Sequence, residues 1–152
     1  MILEAGTRAP DFAVADQFGQ TMRLERLRAT QPVALVFFPL AFSGTCQAEL
    51  SELRDNVAMF DEAGAQIVAI SVDSKHTLRA WAESHTYDFP LLSDFWPHGE
   101  VAMAYGAFDE RSGAARRATF LIDVDGVIRS SFAALPGEAR SLVQYRAALA
   151  SL

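Results

Sequence analysis

Cysteine is scarce in this sequence, because Cys46 is the only one among 152 residues. A single cysteine excludes an intrachain disulfide, an all-cysteine metal site and a Cys-x-x-Cys redox pair. The three histidines, His76, His85 and His98, are scattered, and none has metal-ligand spacing with another. The sequence therefore predicts no metal site, and an oxidised Cys46 would need another molecule to resolve it.

Positive charge and long apolar runs are also scarce. There are 13 Lys and Arg against 19 Asp and Glu, a net charge of −6. This argues against a nucleic-acid binder and gives no reason to expect attraction to an anionic membrane. No apolar stretch approaches the ~20 residues of a spanning helix, and the N-terminus lacks the pattern of a signal peptide. We expect a cytoplasmic protein with one domain over residues 1–152.

Predicted strands alternate with predicted helices along the chain. An N-terminal hairpin is predicted around a turn at Phe18-Gly19, before one possible helical turn at 24–27. Further strands are predicted at 33–38, 66–72, 90–93, 118–123 and 127–132. Helices are predicted from Cys46 to a stop at Gly64, after an N-cap at Ser74, and over 100–105 and 138–149.

The order of these elements predicts an α/β fold with a central sheet and helices on both faces. Asp125-Gly126 is a strong hairpin signal, so the last two strands should be antiparallel and the sheet mixed. Such a layout is compatible with a thioredoxin-like fold.

Cys46 is predicted to lie in the first turn of a helix that follows a buried strand. Pro39 ends the strand at 33–38, because proline has no N–H to donate to a ladder. Unpaired first-turn N–H groups and the helix dipole favour a thiolate over a thiol, which makes Cys46 a candidate nucleophile. Taken alone, a buried and inert cysteine is about as plausible. After Cys46, apolar residues recur at the spacing of one helix face, at Leu50, Leu53, Val57 and Phe60.

The residues around Cys46 spell Pro39-x-x-x-Ser43-x-x-Cys46. Here the chain resembles the peroxiredoxins, and residues 37–50 resemble the one-cysteine peroxiredoxins of the alkyl hydroperoxide reductase E type. Residues 89–99, which include Phe95-Trp96-Pro97-His98, and the string Arg117-Ala118-Thr119-Phe120 agree with that assignment. The resemblance covers nearly the whole chain and implies a thioredoxin-like fold with a central mixed sheet.

The chemistry of peroxide reduction indicates what each motif residue could do. Cys46 would attack a peroxide oxygen and become a sulfenic acid. The Ser43 hydroxyl could donate to the peroxide and accept from it, or serve as an N-cap. Pro39 could shield the sulfur, or merely end the strand. A cation is needed nearby, and the resemblance selects Arg117 rather than the adjacent Arg116, which should point to the opposite face.

Glu49 follows Cys46 by one helical turn and should share its face. It could complement the helix dipole, or form an ion pair that orients Arg117, and the second reading is slightly favoured. Phe42, Trp96 and His98 are candidates for the wall of the substrate pocket or for a subunit contact, since exposed aromatic patches usually mark contacts. A direct catalytic role for His98 is the weaker interpretation.

The resemblance implies a thiol peroxidase for hydrogen peroxide, organic hydroperoxides and also peroxynitrite. It implies no metal and no bound organic cofactor. The sulfenic acid would be reduced by an external thiol, such as mycothiol with mycoredoxin, and the chain would form a homodimer. Two alternatives come from other classes: a redox sensor that passes oxidation to a partner protein, and a thioredoxin-fold binding module in which Cys46 is inert.

Overall fold

The computed structural model describes all residues, Met1–Leu152. Every residue of β3 and most of β4 are buried, as expected for central strands covered on both faces. The strands are β1 (Ala13–Ala15), β2 (Thr21–Arg23), β3 (Val33–Phe37), β4 (Gln66–Ser71), β5 (Leu91–Ser93), β6 (Phe108–Asp109), β7 (Ala114–Ala115), β8 (Ala118–Ile122) and β9 (Ile128–Ala133). The helices are α1 (Leu24–Thr30), α2 (Gly44–Asp55), α3 (Val57–Glu62), α4 (Lys75–His85), α5 (Glu100–Ala104) and α6 (Leu142–Leu149).

Seven strands form one sheet in the order β2-β1-β5-β4-β3-β8-β9. The central strands β3, β4 and β5 are parallel, whereas β8 pairs antiparallel with both β3 and β9. The predicted mixed sheet is therefore confirmed, including the hairpin around Asp125-Gly126 and the N-terminal hairpin of β1 and β2. Strands β6 and β7 form a separate small hairpin that the sequence did not predict, because two-residue strands carry no periodicity.

Helices cover both faces of the sheet, as predicted. On one face, residues of α2, α3, α4 and α6 pack into a core that contains Cys46. On the other face, α1 and α5 pack against Leu35, Phe37 and Phe120. The strand β3 contributes alternate residues to the two cores. Packing on both faces therefore holds β3 in place, and with it the start of the segment that leads to Cys46.

Three helix predictions were wrong at their boundaries. The helix expected to continue to Gly64 is interrupted at Asn56, whose amide donates to the Glu52 carbonyl at 2.8 Å and whose backbone leaves helical geometry. The last helix begins at Leu142 rather than at residue 138, because Ser141 and Gln144 form a capping box there. The short turn expected at 24–27 is a longer helix, α1.

The longest helix, α2, has 12 residues, and no helix combines the length and the apolar character that crossing a membrane requires.

Candidate active site

Cys46 lies in the first turn of α2, shortly after the carboxyl end of the central strand β3. Its side chain is fully buried. Ser43 occupies the N-cap position, and the first helical bond runs from the Gln47 N–H to the Ser43 carbonyl at 2.9 Å. The N–H groups of Gly44, Thr45 and Cys46 precede that bond, so the positive end of the helix dipole lies at the sulfur.

Arg117 places its guanidinium against Cys46. It lies directly before β8, and its Nη2 donates to the Cys46 Sγ at 3.5 Å. Its side chain is only 11% exposed. The neighbouring Arg116 is exposed, and its backbone N–H donates to the Ala107 carbonyl. Of the two adjacent arginines, the structure therefore brings Arg117 to the sulfur and leaves Arg116 at the surface.

Glu49 is the counterion of this arginine. Its Oε1 lies 3.2 Å from the Arg117 Nε, and its side chain is 4% exposed. The angle at the Arg117 Nε does not meet hydrogen-bond geometry, and that nitrogen is buried without a hydrogen-bond partner. The contact is thus a close charge pair, and it joins Glu49, Arg117 and Cys46 in one row.

A second arginine, Arg140, was not predicted at this site. Its Nε and Nη2 form a bidentate pair with Glu49 at 2.9 and 3.0 Å, and its backbone N–H donates to the same carboxylate at 2.7 Å. Its Nη1 donates to the Ala118 carbonyl and the Thr119 hydroxyl. The spacing of the sequence gives no signal for this contact, since Arg140 is 91 positions from Glu49.

The environment keeps Arg140 charged. Burial by itself would lower the pKa of its guanidinium, but Tyr145 and the Glu49 carboxylate oppose this effect, and the pKa of Arg140 is raised. Burial also raises the pKa of the Tyr145 phenol, against smaller opposing effects of Arg140 and of a hydrogen bond with Thr119. A fixed cation therefore backs the carboxylate of Glu49.

A pocket of about 780 Å³ opens beside the buried thiol. Pro39, Ser43 and Arg117 are among its lining residues, together with Leu40 and Leu135. The Ser43 hydroxyl donates to the Leu40 carbonyl at 2.8 Å and makes no cap bond to the helix. Ser43 is thus the N-cap by position only, and its oxygen lone pairs can still accept a hydrogen bond.

The aromatic candidates do not line this pocket. Phe42 is 53% exposed, has a left-handed backbone (φ 65°), and packs on Trp81 with ring centroids 6.2 Å apart. Trp96 is 82% exposed. The His98 ring lies 2.6 Å from the Gly113 carbonyl oxygen, next to the turn between β6 and β7, whose Asp109 and Ser112 do line the pocket.

Comparisons with known proteins identify the family of this chain. Residues 5–131 match the model of the AhpC/TSA family. Alkyl hydroperoxide reductase E of Mycobacterium tuberculosis is 46% identical over 151 residues, 99% of either chain. Peroxiredoxin TSA2 of Saccharomyces cerevisiae is 34% identical over 139 residues, which cover 85% of this chain and 69% of the yeast protein.

Solved structures extend the likeness to the fold. Peroxidoxin BcpB from Mycobacterium tuberculosis superposes with a TM-score of 0.87 at 32% identity, over 98% of this chain and 96% of that one. AhpC from the same organism superposes with a TM-score of 0.86 at 21% identity, over 99% of this chain and 93% of that one. At this identity the likeness concerns the fold alone. The predicted thioredoxin-like fold is confirmed. With one cysteine at the start of α2, the chain belongs to the AhpC/TSA family and is a peroxiredoxin, a thiol peroxidase whose single cysteine fits a one-cysteine mechanism.

Proposed function

We propose that this peroxiredoxin reduces hydrogen peroxide, organic hydroperoxides and peroxynitrite through Cys46, and that Arg117, Ser43 and Pro39 complete the site. The observation that carries the proposal is the row Cys46, Arg117, Glu49, with contacts of 3.5 and 3.2 Å. A guanidinium held in this way stabilises a thiolate and can also donate to a bound peroxide.

The chemical step is a displacement at oxygen. The Cys46 thiolate attacks the peroxide oxygen that bears the hydrogen, an S–O bond forms, and the O–O bond breaks. The products are a Cys46 sulfenic acid and a hydroxide or alkoxide, which takes up one proton and leaves as water or an alcohol. With peroxynitrous acid the leaving group is nitrite. Sulfur is oxidised by two electrons and the peroxide is reduced by two.

The pocket residues act on the charge that develops during this step. Arg117 donates to the oxygens as negative charge builds on the leaving one, and the free N–H of Cys46 adds a second donor. Because the Ser43 hydroxyl already donates to Leu40, Ser43 accepts from the peroxide O–H. Pro39 forms part of the pocket wall and keeps bulk water from the sulfur.

Organic hydroperoxides are supported as substrates by the size and character of the pocket. A volume of about 780 Å³ exceeds what hydrogen peroxide needs, and Leu40, Ala133, Leu135 and Pro136 offer apolar surface to an organic substituent.

An external thiol completes the cycle, since the chain holds no second cysteine. One thiol condenses with the sulfenic acid to a mixed disulfide and releases water, and a second thiol attacks that disulfide and frees Cys46. We infer mycothiol with mycoredoxin as the reductant, a cytoplasmic location and a homodimer. The resemblance to alkyl hydroperoxide reductase E supports all three.

Stopped-flow tryptophan fluorescence tests the proposal. Trp81 packs on Phe42, close to the start of α2, and should report oxidation of Cys46. Reduced protein should react rapidly with hydrogen peroxide and with an organic hydroperoxide, and Cys46→Ser should not react. Arg117→Ala should be slower by about 10²- to 10³-fold, the usual effect of removing such a donor.

Arg116→Ala is the matched control, because it removes an adjacent guanidinium that lines the same pocket but does not contact the sulfur. Its rate should stay close to that of the wild type. If the wild type reacts no faster than an ordinary free thiol, the peroxidase proposal is wrong. Slow oxidation of Cys46 without sustained turnover by any thiol would favour the redox-sensor alternative.

A further inference from the structure

Asp73 anchors the loop that carries Pro39 and Ser43, and no motif in the sequence points to it. We propose that Asp73 is a positioning residue for peroxide reduction, which holds this loop in its reactive conformation through one backbone hydrogen bond. The inference rests on the proposed role of Cys46, and it adds a residue that does not touch the sulfur or line the pocket.

The Asp73 carboxylate reaches across to the loop. Its Oδ2 accepts from the Ala41 N–H at 2.8 Å and from the Ser71 hydroxyl at 2.6 Å. The residue itself is fixed from two sides, because its N–H donates to the Ser71 hydroxyl oxygen and its carbonyl accepts from the Ser93 hydroxyl at 2.6 Å. The anchor is therefore built on the ends of β4 and β5, which pair with each other inside the sheet.

The loop needs an anchor because part of it is strained. Phe42, the residue after Ala41, has a φ of 65°, a left-handed conformation that non-glycine residues rarely adopt. Strain of this kind persists only when the surroundings hold it. Two contacts do so: the Asp73 bond to Ala41 and the packing of Phe42 on Trp81.

Both contacts come from one structural unit. Asp73 lies just before Ser74, the N-cap of α4, and Trp81 lies within α4. The residues that this unit holds are flanked by Pro39 and Ser43, which line the pocket, and Ser43 leads directly into the first turn of α2. Loss of the anchor should let the loop relax and should displace the Ser43 acceptor and the N–H of Cys46 from the peroxide.

Three substitutions separate geometry from charge. Asp73→Ala removes the acceptor and should slow peroxide reduction about 10- to 100-fold, as expected for misplaced reacting groups. Asp73→Asn keeps a carbonyl oxygen with two lone pairs for Ala41 and Ser71, so its rate should stay within a few-fold of the wild type. Asp73→Glu keeps the charge but moves the oxygens by one methylene, and it should be slower than Asp73→Asn.

A spectroscopic signature distinguishes a displaced loop from a general loss of structure. In a Trp96→Phe background Trp81 is the only tryptophan, and it is fully buried. Asp73→Ala should increase acrylamide quenching of Trp81, and Asp73→Asn should not. Asp123→Ala is the matched control, because Asp123 accepts from the Asp125 and Val127 N–H groups in the turn between β8 and β9. This turn lies beside the start of β3, at the end of the sheet opposite Cys46, so the substitution should change neither quenching nor rate.

The outcomes separate this inference from the proposed function. If Asp73→Asn is as slow as Asp73→Ala, or if folded Asp73→Ala reacts like the wild type, the positioning role is wrong while the peroxidase proposal stands. Should Asp73→Ala fail to fold, the rates of peroxide reduction of Asp73→Asn and Asp73→Glu decide. If Asp73→Glu reacts as fast as Asp73→Asn or faster, the inference is wrong. A wild type without rapid reaction overturns the proposed function itself.

Discussion

Among the single side chains of the site, Glu49 has an unusual position, because two arginines share its carboxylate. Arg140 holds it with a bidentate pair and Arg117 lies 3.2 Å from it, while all three side chains are nearly buried. A buried ion pair offsets a large desolvation cost, so the loss of one partner is much more costly than the loss of both.

The effect of the Arg140–Glu49 pair on stability can therefore be measured separately from its effect on the reaction of Cys46. Arg140→Met should lower the free energy of unfolding by about 3–5 kcal/mol, because it leaves Glu49 short of its main partner. The double variant Glu49→Met with Arg140→Met should regain most of that stability in urea denaturation. Its peroxide rate should nevertheless stay low, because Arg117 has lost its counterion. Full recovery of the rate would contradict a role for Glu49 in orienting Arg117.

Arg117 needs the shape of a guanidinium as well as its charge. Arg117→Lys keeps one positive charge but cannot reach the Cys46 sulfur and the Glu49 carboxylate with separate donors. We expect a second-order rate constant for hydrogen peroxide about 10- to 100-fold below the wild type, measured by stopped flow. A wild-type rate in Arg117→Lys would show that a point charge suffices.

Part of the site could be predicted from single residues and part could not. The motif of Pro39, Ser43 and Cys46 is local, so its spacing and the change from strand to helix were readable in the sequence. Arg140 and Asp73 act through contacts across 91 and 32 positions, and only the folded chain shows which carboxylate or N–H they meet. Arginine and aspartate are common residues, and no motif surrounds Arg140 or Asp73. The sequence therefore contains no indication that either residue belongs to the site.

The helices and strands were predictable to different degrees. Buried strands such as β3 and β4 were found within one residue of their bounds, because continuous apolar runs between turns have few alternatives. The interruption at Asn56 was missed, since the apolar spacing of Leu53, Val57 and Phe60 fits one helix. A side chain that bonds to a backbone carbonyl was enough to end α2.

The start of α6 lies directly after Arg140 and can be tested by its cap. Ser141 accepts from the Gln144 N–H, and the Gln144 side chain accepts from the Ser141 N–H at 2.9 Å. Ser141→Ala should lower the free energy of unfolding by about 1 kcal/mol. Ser84→Ala is the control, because its hydroxyl donates to a carbonyl within α4 and caps nothing; its stability should hardly change. Equal losses in both variants would contradict the capping role.

In the molecule as a whole, the N-terminal segment closes the face of the sheet opposite Cys46. The Leu3 N–H donates to the Tyr105 carbonyl, and the Gly6 N–H donates to the Ile128 carbonyl. Gly106 lies beneath this segment with a φ of 70°, and a Cβ there would overlap the Met1 carbonyl oxygen. Gly64 has a similar φ of 74° but open space around it.

These two glycines make a matched pair. Gly64→Ala should lower the free energy of unfolding by about 1–2 kcal/mol, the cost of a left-handed alanine. Gly106→Ala should cost more, because it must also displace the N-terminal segment. Urea denaturation measures both, and hydrogen exchange at Leu3 and Gly6 should rise only in Gly106→Ala. Equal losses of unfolding free energy in the two variants would show that the contact of the N-terminal segment with Gly106 contributes little to stability.

The proposed homodimer can be tested at the exposed aromatic loop. Trp96 is 82% exposed and Phe95 is 53% exposed, which is unusual for large apolar side chains in one loop. Phe95→Ser with Trp96→Ser should lower the mass in analytical ultracentrifugation to that of one chain. Phe18→Ser is the control, since Phe18 is 64% exposed at a different place, where Arg79 packs on its ring. A dimer that persists in the double variant would place the interface elsewhere.

The carboxylate that two arginines share also determines the net charge of the buried cluster. Two positive and two negative charges cancel when Cys46 is a thiolate, so the buried cluster of Cys46, Glu49, Arg117 and Arg140 is then neutral. Oxidation to a neutral sulfenic acid removes one negative charge and leaves the cluster with a surplus of one positive charge. This surplus positive charge, left after the proposed oxidation, should attract the thiolate of the reductant.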